Sequence, residues 1–453
     1  MSGVAIGLCL LAFLTTFLSG RKLLAAGYSV TLFWGYTYGI TRANVPAAAS
    51  HFIFDSSVIG LYMSLALHKQ QRESLRRSKL LNDWVTVLIG WTLLIALMPF
   101  QTPLITLVGL RGNLFFIPIL LVANRLSFSQ MRGVICSMAG LNLIALGFGI
   151  AEYFQGVERF YPNNEVTYLI FLSKDVAGGH YRIPAIFNNA HGYASTMVAS
   201  LPFLLGLFAM PGAPNWQRAL SLCGASAALF GVLFANTRTN FIAASFMILA
   251  FVFFAKFKPL LKGLFFAVVV GVGIVAMSNE RFQRFKSLED TDALAGRLAG
   301  SVNRSFLEVI TDYPLGNGLG GGGTSIPHFL ASQVQRGVSV ENEYARIALE
   351  LGFPGFVLWL GFLGWVLVRG WSFHKQDRWA NTRRLVWICA FVNFGLAVLG
   401  TGLLTAIPMT MMLLFSSGWL VTKPSPEDLG EISPSKEQPD LQEAEQQRIP
   451  SSV

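Results

Sequence analysis

Long apolar stretches recur along this chain and constrain its fold more than any other feature. A hydrocarbon core about 30 Å thick is crossed by roughly 20 apolar residues in a helix, and such stretches occur throughout the sequence. With 53% hydrophobic and only 13% charged residues, the composition is far from that of a soluble globular domain. The sequence therefore predicts an all-α polytopic membrane protein of about 12 to 14 transmembrane helices.

Apolar windows place the predicted spans along the chain. They lie at about 4–19, 23–40, 52–67, 84–98, 104–123, 133–152, 191–209, 219–235, 240–255, 260–277, 352–368, 385–404 and 406–421. Basic residues collect in alternate loops between these windows, as at Arg21, Lys22, Arg125 and Arg132. Because cytoplasmic loops carry an excess of Lys and Arg, these loops are predicted to be cytoplasmic and the others to lie outside.

Two of the outer loops are long and set the domain organisation. They run over about 153–190 and about 278–351, and both are predicted to be partly helical. The segment 423–453 is rich in Pro, Ser, Glu and Gln, so a disordered cytoplasmic tail is expected there. The sequence thus predicts one transmembrane domain over 1–422, with two folded outer loops, followed by this tail.

The charge and the cysteines exclude several classes of function. The net charge of +10 does not indicate nucleic-acid binding, because the basic residues fall in short loops between apolar spans. The four cysteines are widely spaced and lie in or beside apolar runs, which predicts neither a disulfide framework nor a zinc site. No cofactor, metal or nucleic acid is therefore expected, and the lipid bilayer is the partner that the composition requires.

Arginines in the predicted outer loops are the first candidates for chemistry. Arg238 lies in a tight turn, NTRTN, where a guanidinium is suited to bind an anion such as a lipid diphosphate. A snorkelling arginine in contact with lipid headgroups is the alternative. Arg297 and Arg304 are seven residues apart, so a helix through them places both on one face. A surface-lying amphipathic helix is the alternative for this pair.

Polar residues just before the helix YARIALELGFPG form a second candidate group. Glu341, Asn342 and Glu343 stand at its start, where the helix dipole favours a carboxylate, so simple capping is one interpretation. The other is that a carboxylate accepts a proton from an acceptor hydroxyl while arginines hold a departing diphosphate. The glycine-rich run 316–323 lacks the context of a nucleotide motif and indicates a flexible turn.

Two further candidates flank the segment RIPAIFNNAH, where the first outer loop returns to the membrane. Arg182 is a candidate for anion contact. His191 stands at the start of a predicted span, where a hydrogen-bonded interfacial histidine is the alternative to a functional one.

A succession of these motifs resembles the O-antigen ligase and polymerase family. It comprises the basic residue in a tight turn, a Gly-Arg helix that ends in YPLGNGLG, and a polar-Asn pair ahead of ELGFPG. Members of that family are bacterial envelope proteins that move glycans from undecaprenyl diphosphate to an acceptor. The resemblance covers about 180–370 in motif detail and the whole chain in architecture.

The resemblance implies a metal-independent, inverting glycosyltransferase in the bacterial inner membrane, with its active site facing the periplasm. On this basis Arg238 and Arg297 bind the diphosphate of an undecaprenyl-diphosphate-linked oligosaccharide, and Glu341 acts as the base. The predicted catalytic residues are Glu341, Arg238 and Arg297, and the predicted substrate-binding residues are Arg182, Arg304, Asn342, Glu343 and His191.

Ligases of this family carry a His-Asn pair where this chain has Glu341 and Asn342. The difference favours a polysaccharide polymerase that joins lipid-linked glycan repeat units. An O-antigen ligase that transfers glycan to a lipid A core or to protein is the alternative within the same chemistry. A glycan or small-solute transporter is a second alternative, and a non-catalytic envelope scaffold is a third. Other polysaccharide-assembly proteins are further expected partners.

Overall fold

A computed structural model gives the arrangement of the chain. It describes residues 1–67, 79–172, 180–254, 263, 271, 296, 306–323, 326–338, 340, 342–373, 379–400 and 402–423. The helices are α1 (Ser2–Lys22), α2 (Leu24–Asn44), α3 (Ile53–Leu67), α4 (Lys79–Ala96), α5 (Pro103–Leu114), α6 (Phe128–Gln155), α7 (Tyr168–Phe171), α8 (Ala190–Phe208), α9 (Asn215–Ala235), α10 (Arg238–Phe254), α11 (Glu308–Asp312), α12 (Glu343–Phe373), α13 (Ala380–Leu396) and α14 (Met409–Val421). Short 3-10 turns include Ala48–Phe52 before α3 and Ile117–Leu121 after α5.

The chain is an all-α polytopic membrane protein, as the apolar pattern predicts. Within the described residues there is no strand, and seven helical segments are long and apolar enough to cross a membrane. Two shorter apolar helices, α10 and α14, add to these seven. Helix α8 has 19 residues, nearly all buried by its neighbours, and contains Pro202. Helix α8 is therefore surrounded mainly by other parts of the protein and presents little surface to lipid.

The helices pack in two groups, which meet where α2 packs against α6. Helix α1 packs against α2 and α3, while α9 packs against α6 and α8. Helices α13 and α14 join α8 to α12. A buried polar junction ties the groups together: Tyr36 of α2 donates to Asn142 Oδ1 of α6 at 2.8 Å, and Asn142 Nδ2 donates to Ser200 Oγ of α8 at 2.8 Å. Such bonds between helices fix their register where apolar contacts alone would not.

Helix α12 is broken near its first third, and the break positions its N-terminal part. Gly352 has φ of 72°, a left-handed conformation that glycine adopts without steric cost, and it ends a first segment, 343–351. Pro314 and Asn317, which lie just before and within the glycine-rich run, supply the missing bonds. Asn317 N donates to Leu349 O at 2.6 Å, and Phe353 N donates to Pro314 O at 2.9 Å. The first segment is therefore a short helix held inside the bundle.

The first long loop folds back onto the bundle. Its described part contains Val157–Arg159 and α7, so it is partly helical. The hydroxyl of Tyr161 donates to Ala185 O at 2.6 Å, and Ile40 N of α2 donates to Ile186 O at 3.1 Å. The loop thus closes over the end of α2. We call this the site end of the bundle, because α2 ends there and α8, α10 and α12 begin there.

Of the predicted 423–453 tail, only Lys423 lies within the described residues, and much of the predicted 278–351 loop is also outside them. The division into a 1–422 domain and a tail stays a prediction.

Candidate functional site

Three of the predicted site residues lie outside the described residues. These are Arg297, Arg304 and Glu341. Their roles stay predictions, and the site is built below from residues whose positions are described.

The turn between α9 and α10 carries Arg238. Helix α9 ends at Ala235 and α10 begins at Arg238, so the predicted tight turn is two residues long. Asn236 takes a left-handed conformation with φ of 49°, which asparagine tolerates better than most residues, and this lets the chain reverse at once. Arg238 is half-buried at the first position of α10.

His191 lies opposite this turn at the start of α8. Asn189 caps that helix, because its Oδ1 accepts a hydrogen bond from Gly192 N at 2.7 Å. The His191 side chain is exposed, and its Nδ1 lies 3.3 Å from Asn240 Nδ2. Asn240 Nδ2 also donates to Thr237 Oγ1 at 3.1 Å, which fixes the amide.

The contact with Asn240 selects one form of the imidazole. An amide nitrogen only donates, so His191 Nδ1 accepts from Asn240 Nδ2 and carries no proton. In the neutral ring the proton then sits on Nε2. His191 therefore presents an N–H donor on the side away from Asn240.

These residues line a partly open cavity of about 50 Å³. Its walls come from α8, the start of α10, α13 and the segment before α14. The lining residues are His191, Ser195, Thr239, Asn240, Asn393, Leu396, Ala397, Gly400, Gly402, Leu403 and Met409. The cavity thus lies at the site end, and its lining residue Thr239 directly follows Arg238 in the chain. We call it the His191 pocket.

Arg182 is placed near the same turn by the backbone. Its neighbour Ile183 donates from N to Phe234 O, at 3.4 Å, close to the end of α9. The Arg182 side chain is half-buried. The structure therefore brings the segments of Arg182, His191 and Arg238 to one end of the bundle, while the anion-binding roles of the two arginines stay predictions.

The first segment of α12 carries a buried ion-pair cluster. Arg346, fully buried, donates from Nη2 to Glu343 Oε1 at 2.7 Å and from Nη1 to Glu350 Oε2 at 2.8 Å. Asn113 of α5 joins it by donating from Nδ2 to Glu350 Oε2 at 2.6 Å. Two carboxylates around one guanidinium, all at 0% exposure, are stable only because every charge has a close partner. We call this set the Arg346 cluster.

Asn342 and Glu343 connect this cluster to the His191 pocket. Asn342 caps α12, since its Oδ1 accepts from Tyr344 N at 2.8 Å. Glu343 Oε2 accepts from Gly402 N at 2.7 Å, and Glu343 N donates to Ala397 O at 3.0 Å. Gly402 and Ala397 both line the pocket, so Glu343 holds one pocket wall in place. The proposed contact of Asn342 and Glu343 with substrate stays a prediction.

The glycine-rich run 316–323 packs on the other side of the Arg346 cluster. A Cβ on Gly109 of α5 would lie only 2.4 Å from Gly320 N, and a Cβ on Gly322 would lie 3.3 Å from Arg346 Cγ. The run thus brings its backbone against α5 and α12. Because glycine has no side chain, the backbone of the run can pack closely against these two helices.

Comparison with known protein families finds a match over the region that contains the α9–α10 turn and the first segment of α12. Residues 223–360 match the family model described as O-antigen ligase. This match supports assignment of the chain to the O-antigen ligase and polymerase family. No curated protein matches the chain.

The O-antigen ligase match covers the α9–α10 turn and the first segment of α12. It therefore includes Arg238, Asn240 and the three charged residues of the Arg346 cluster. His191 and the pocket-wall residues Ala397, Gly400, Gly402 and Leu403 lie outside the matched residues, and the fold brings them to the matched region. Among the described residues, no group of three or more His, Cys, Asp or Glu side chains is arranged to hold a metal ion.

Sequence reasoning missed two features of this site. Glu343, Arg346 and Glu350 are spaced three and four residues apart, which signals ion pairs along one helix face. Asn240 gave no signal, because its role depends on His191, 49 residues away in sequence.

Proposed function

We propose that this chain is a polysaccharide polymerase of the bacterial inner membrane. It transfers a glycan from undecaprenyl diphosphate to the terminal sugar hydroxyl of a second lipid-linked glycan, on the periplasmic face. The observation that carries the proposal is the His191 pocket, which adjoins Arg238 and has one wall tied to Glu343. A membrane-embedded chain of this family with such a pocket at one end is suited to lipid-linked substrates.

The proposed reaction is a direct displacement. The acceptor hydroxyl oxygen attacks the anomeric carbon, the bond from that carbon to the phosphate oxygen breaks, and the electron pair leaves with the lipid diphosphate. The acceptor proton passes to the carboxylate of Glu341. A single displacement inverts the anomeric centre and needs no nucleophilic side chain.

Arginine supplies the positive charge in this proposal. The developing charge on the diphosphate is stabilised by Arg238 and Arg297, whose guanidinium groups match phosphate oxygens bidentately. Arg182 and Arg304 add positive charge to the surroundings. The reaction is metal-independent in this proposal because these cations take the place of a divalent ion.

His191 binds the substrate in this scheme. With Nδ1 accepting from Asn240, its Nε2–H is aimed away from that residue and donates to a substrate oxygen. The Glu341 and Asn342 pair, where ligases have His-Asn, favours the polymerase over an O-antigen ligase.

An assay with purified full-length protein and undecaprenyl-diphosphate-linked oligosaccharide tests the function. We expect longer lipid-linked glycans, resolved by gel or mass spectrometry. Transfer only to an added lipid A core would indicate the ligase instead. Absence of any transfer, with protein shown to be folded by its elution profile, would contradict the proposal.

Replacement of His191 separates hydrogen-bond donation from proton transfer. We expect His191→Ala to lower the rate about 10-fold to 100-fold, because a hydrogen bond to a charged group contributes roughly 1.5–3 kcal/mol. Glutamine keeps an N–H donor but is no base, so His191→Gln should stay within about threefold of wild type. Initial rates of elongation measure both.

The matched control is His180→Gln, at an exposed histidine of the first long loop. It should leave the rate unchanged. Equal losses in His191→Ala and His191→Gln would show that the ring itself, and not its N–H donor, is required.

A further inference from the structure

A second group of cationic side chains lies at the site end, outside the His191 pocket. Arg111 of α5 donates from Nε to Asp55 Oδ2 at 2.6 Å and from Nη2 to His51 O at 3.3 Å. Tyr38 of α2 donates from its hydroxyl to the same His51 O at 3.1 Å. Arg42, one turn further along α2, places its guanidinium 5.2 Å from the centre of the Tyr38 ring. Helices α2, α3 and α5 thus converge on one polar group.

Arg42 has capacity left to bind a ligand. Its hydrogen bonds to Tyr38 Oη and Val166 O are both long, at 3.5 Å. Its buried Nε has no hydrogen-bond partner. Since Asp55 already pairs with Arg111, the two arginines and one aspartate leave one positive charge in excess. An anion is the ligand that this arrangement favours.

An apolar groove begins beside this cationic group. It has a volume of about 270 Å³ and lies between α1 and the segment from the Ala48–Phe52 turn into α3. Its lining residues are Ile6, Cys9, Leu10, Phe13, Ala49, Phe52, Ser56 and Ile59.

The groove and the cationic group share one chain segment. Phe52 and Ser56 line the groove, while His51 and Asp55, their immediate neighbours in sequence, contact Arg111. Successive helical residues point about 100° apart, so the two features lie on adjacent sides of that segment. From Phe52 to Ile59 the groove runs about 10 Å down the bundle, at 1.5 Å per residue.

Helix α2 connects this region to the His191 pocket. A Cβ on Gly35 would lie 2.6 Å from Pro408, which follows the pocket wall, and one on Gly39 would touch Phe187, four residues before His191. Arg42 lies seven residues after Gly35, about two turns along the same face of α2. A headgroup at Arg42 therefore lies within a few helical turns of the pocket.

We propose that Arg42, supported by Arg111, binds the diphosphate of a polyprenyl diphosphate whose hydrocarbon chain lies in the α1–α3 groove. One groove of this size suits a single chain better than the paired chains of a phospholipid. The identity of the lipid rests on the proposed function, in which two lipid-linked glycans meet. Arg238 adjoins the pocket for the donor, and the Arg42 site holds the lipid that carries the acceptor.

Photolabelling of the full chain tests this site without requiring glycan transfer. The probe is farnesyl diphosphate with a diazirine in its chain, and labelled peptides are mapped by mass spectrometry. We expect label on 2–22 and 53–67 in the wild type. Arg42→Gln should lower that labelling about tenfold, and Arg42→Lys should lower it less. Ser56→Phe, which fills the groove but leaves Arg42 intact, should lower it as well.

Arg21→Gln is the matched control, since Arg21 is an exposed arginine at the opposite end of α1. It should label like wild type. Excess unlabelled farnesyl diphosphate should remove the label, and an equal excess of phosphatidylglycerol should not. Wild-type labelling in both Arg42→Gln and Ser56→Phe would overturn the site, as would removal by phosphatidylglycerol. If the wild-type protein transfers glycan but is not labelled in the groove, this site fails and the proposed function stands. If the wild-type protein is labelled in the groove but transfers no glycan, the proposed function fails and the lipid site stands.

Discussion

Replacing Arg346 by Met is expected to lower the free energy of unfolding by about 3–5 kcal/mol, the largest loss of stability that we predict. The change leaves Glu343 and Glu350 buried at 0% exposure without their shared cation. Asn113 and the backbone N–H groups of Gly402 and Leu404 donate to these carboxylates but supply no positive charge. Removal of one partner from a buried ion pair costs far more than loss of an exposed one.

Thermal unfolding of the purified protein in detergent measures this effect. Arg21→Met is the control, because Arg21 is exposed and should change the unfolding midpoint little. The combined variant Glu343→Gln, Arg346→Met and Glu350→Gln removes all three charges. It should recover most of the loss, since uncharged residues need no counter-ion. A midpoint for Arg346→Met equal to that of wild type would contradict a structural role for the cluster.

The helical architecture followed from the sequence because one local property determines it. A segment in lipid must satisfy its backbone hydrogen bonds internally, so each long apolar window predicts a helix. The tight turn before Arg238 was also predictable, because it lies between two such windows only a few residues apart. Both inferences depend on neighbouring residues alone.

The break in α12 shows where local reasoning reaches its limit. Gly352 and Pro354 mark an irregularity in the sequence, but the hydrogen bonds that stabilise it come from Pro314 and Asn317, just before and within the glycine run. The bond from Asn317 N to Leu349 O joins segments that the sequence pattern treats as a loop and a helix. The sequence predicts a flexible turn for the glycine run, whereas its packing against α5 depends on tertiary structure.

The candidate site was predictable only in part for the same reason. The sequence indicates Glu343 as a polar residue at a helix start, yet its partners include Gly402, 59 residues away in sequence. Asn113 meets Glu350 across 237 residues. No spacing rule links such pairs, so the Arg346 cluster and the pocket wall it supports emerged from the fold.

Replacing Arg238 by Ala is expected to lower the rate of glycan transfer about 100-fold to 1,000-fold, the range measured when one preorganised donor to a developing anion is removed. The reason is the place of Arg238 beside the His191 pocket, where the proposed diphosphate leaves. Arg238→Lys keeps the charge but not the planar fork, so it should recover part of the rate. The rate of elongation at saturating lipid-linked donor is the measurement.

Arg218→Ala is the control for this change. Arg218 is also half-buried on α9, but at the opposite end, where its Nε donates to Phe208 O at 3.0 Å. A general need for buried arginine would lower the rate in both variants. A specific role at the leaving diphosphate lowers it in Arg238→Ala alone, with an unchanged unfolding midpoint. Full activity in Arg238→Ala would remove this arginine from the reaction and leave the pocket without its nearest cation in sequence.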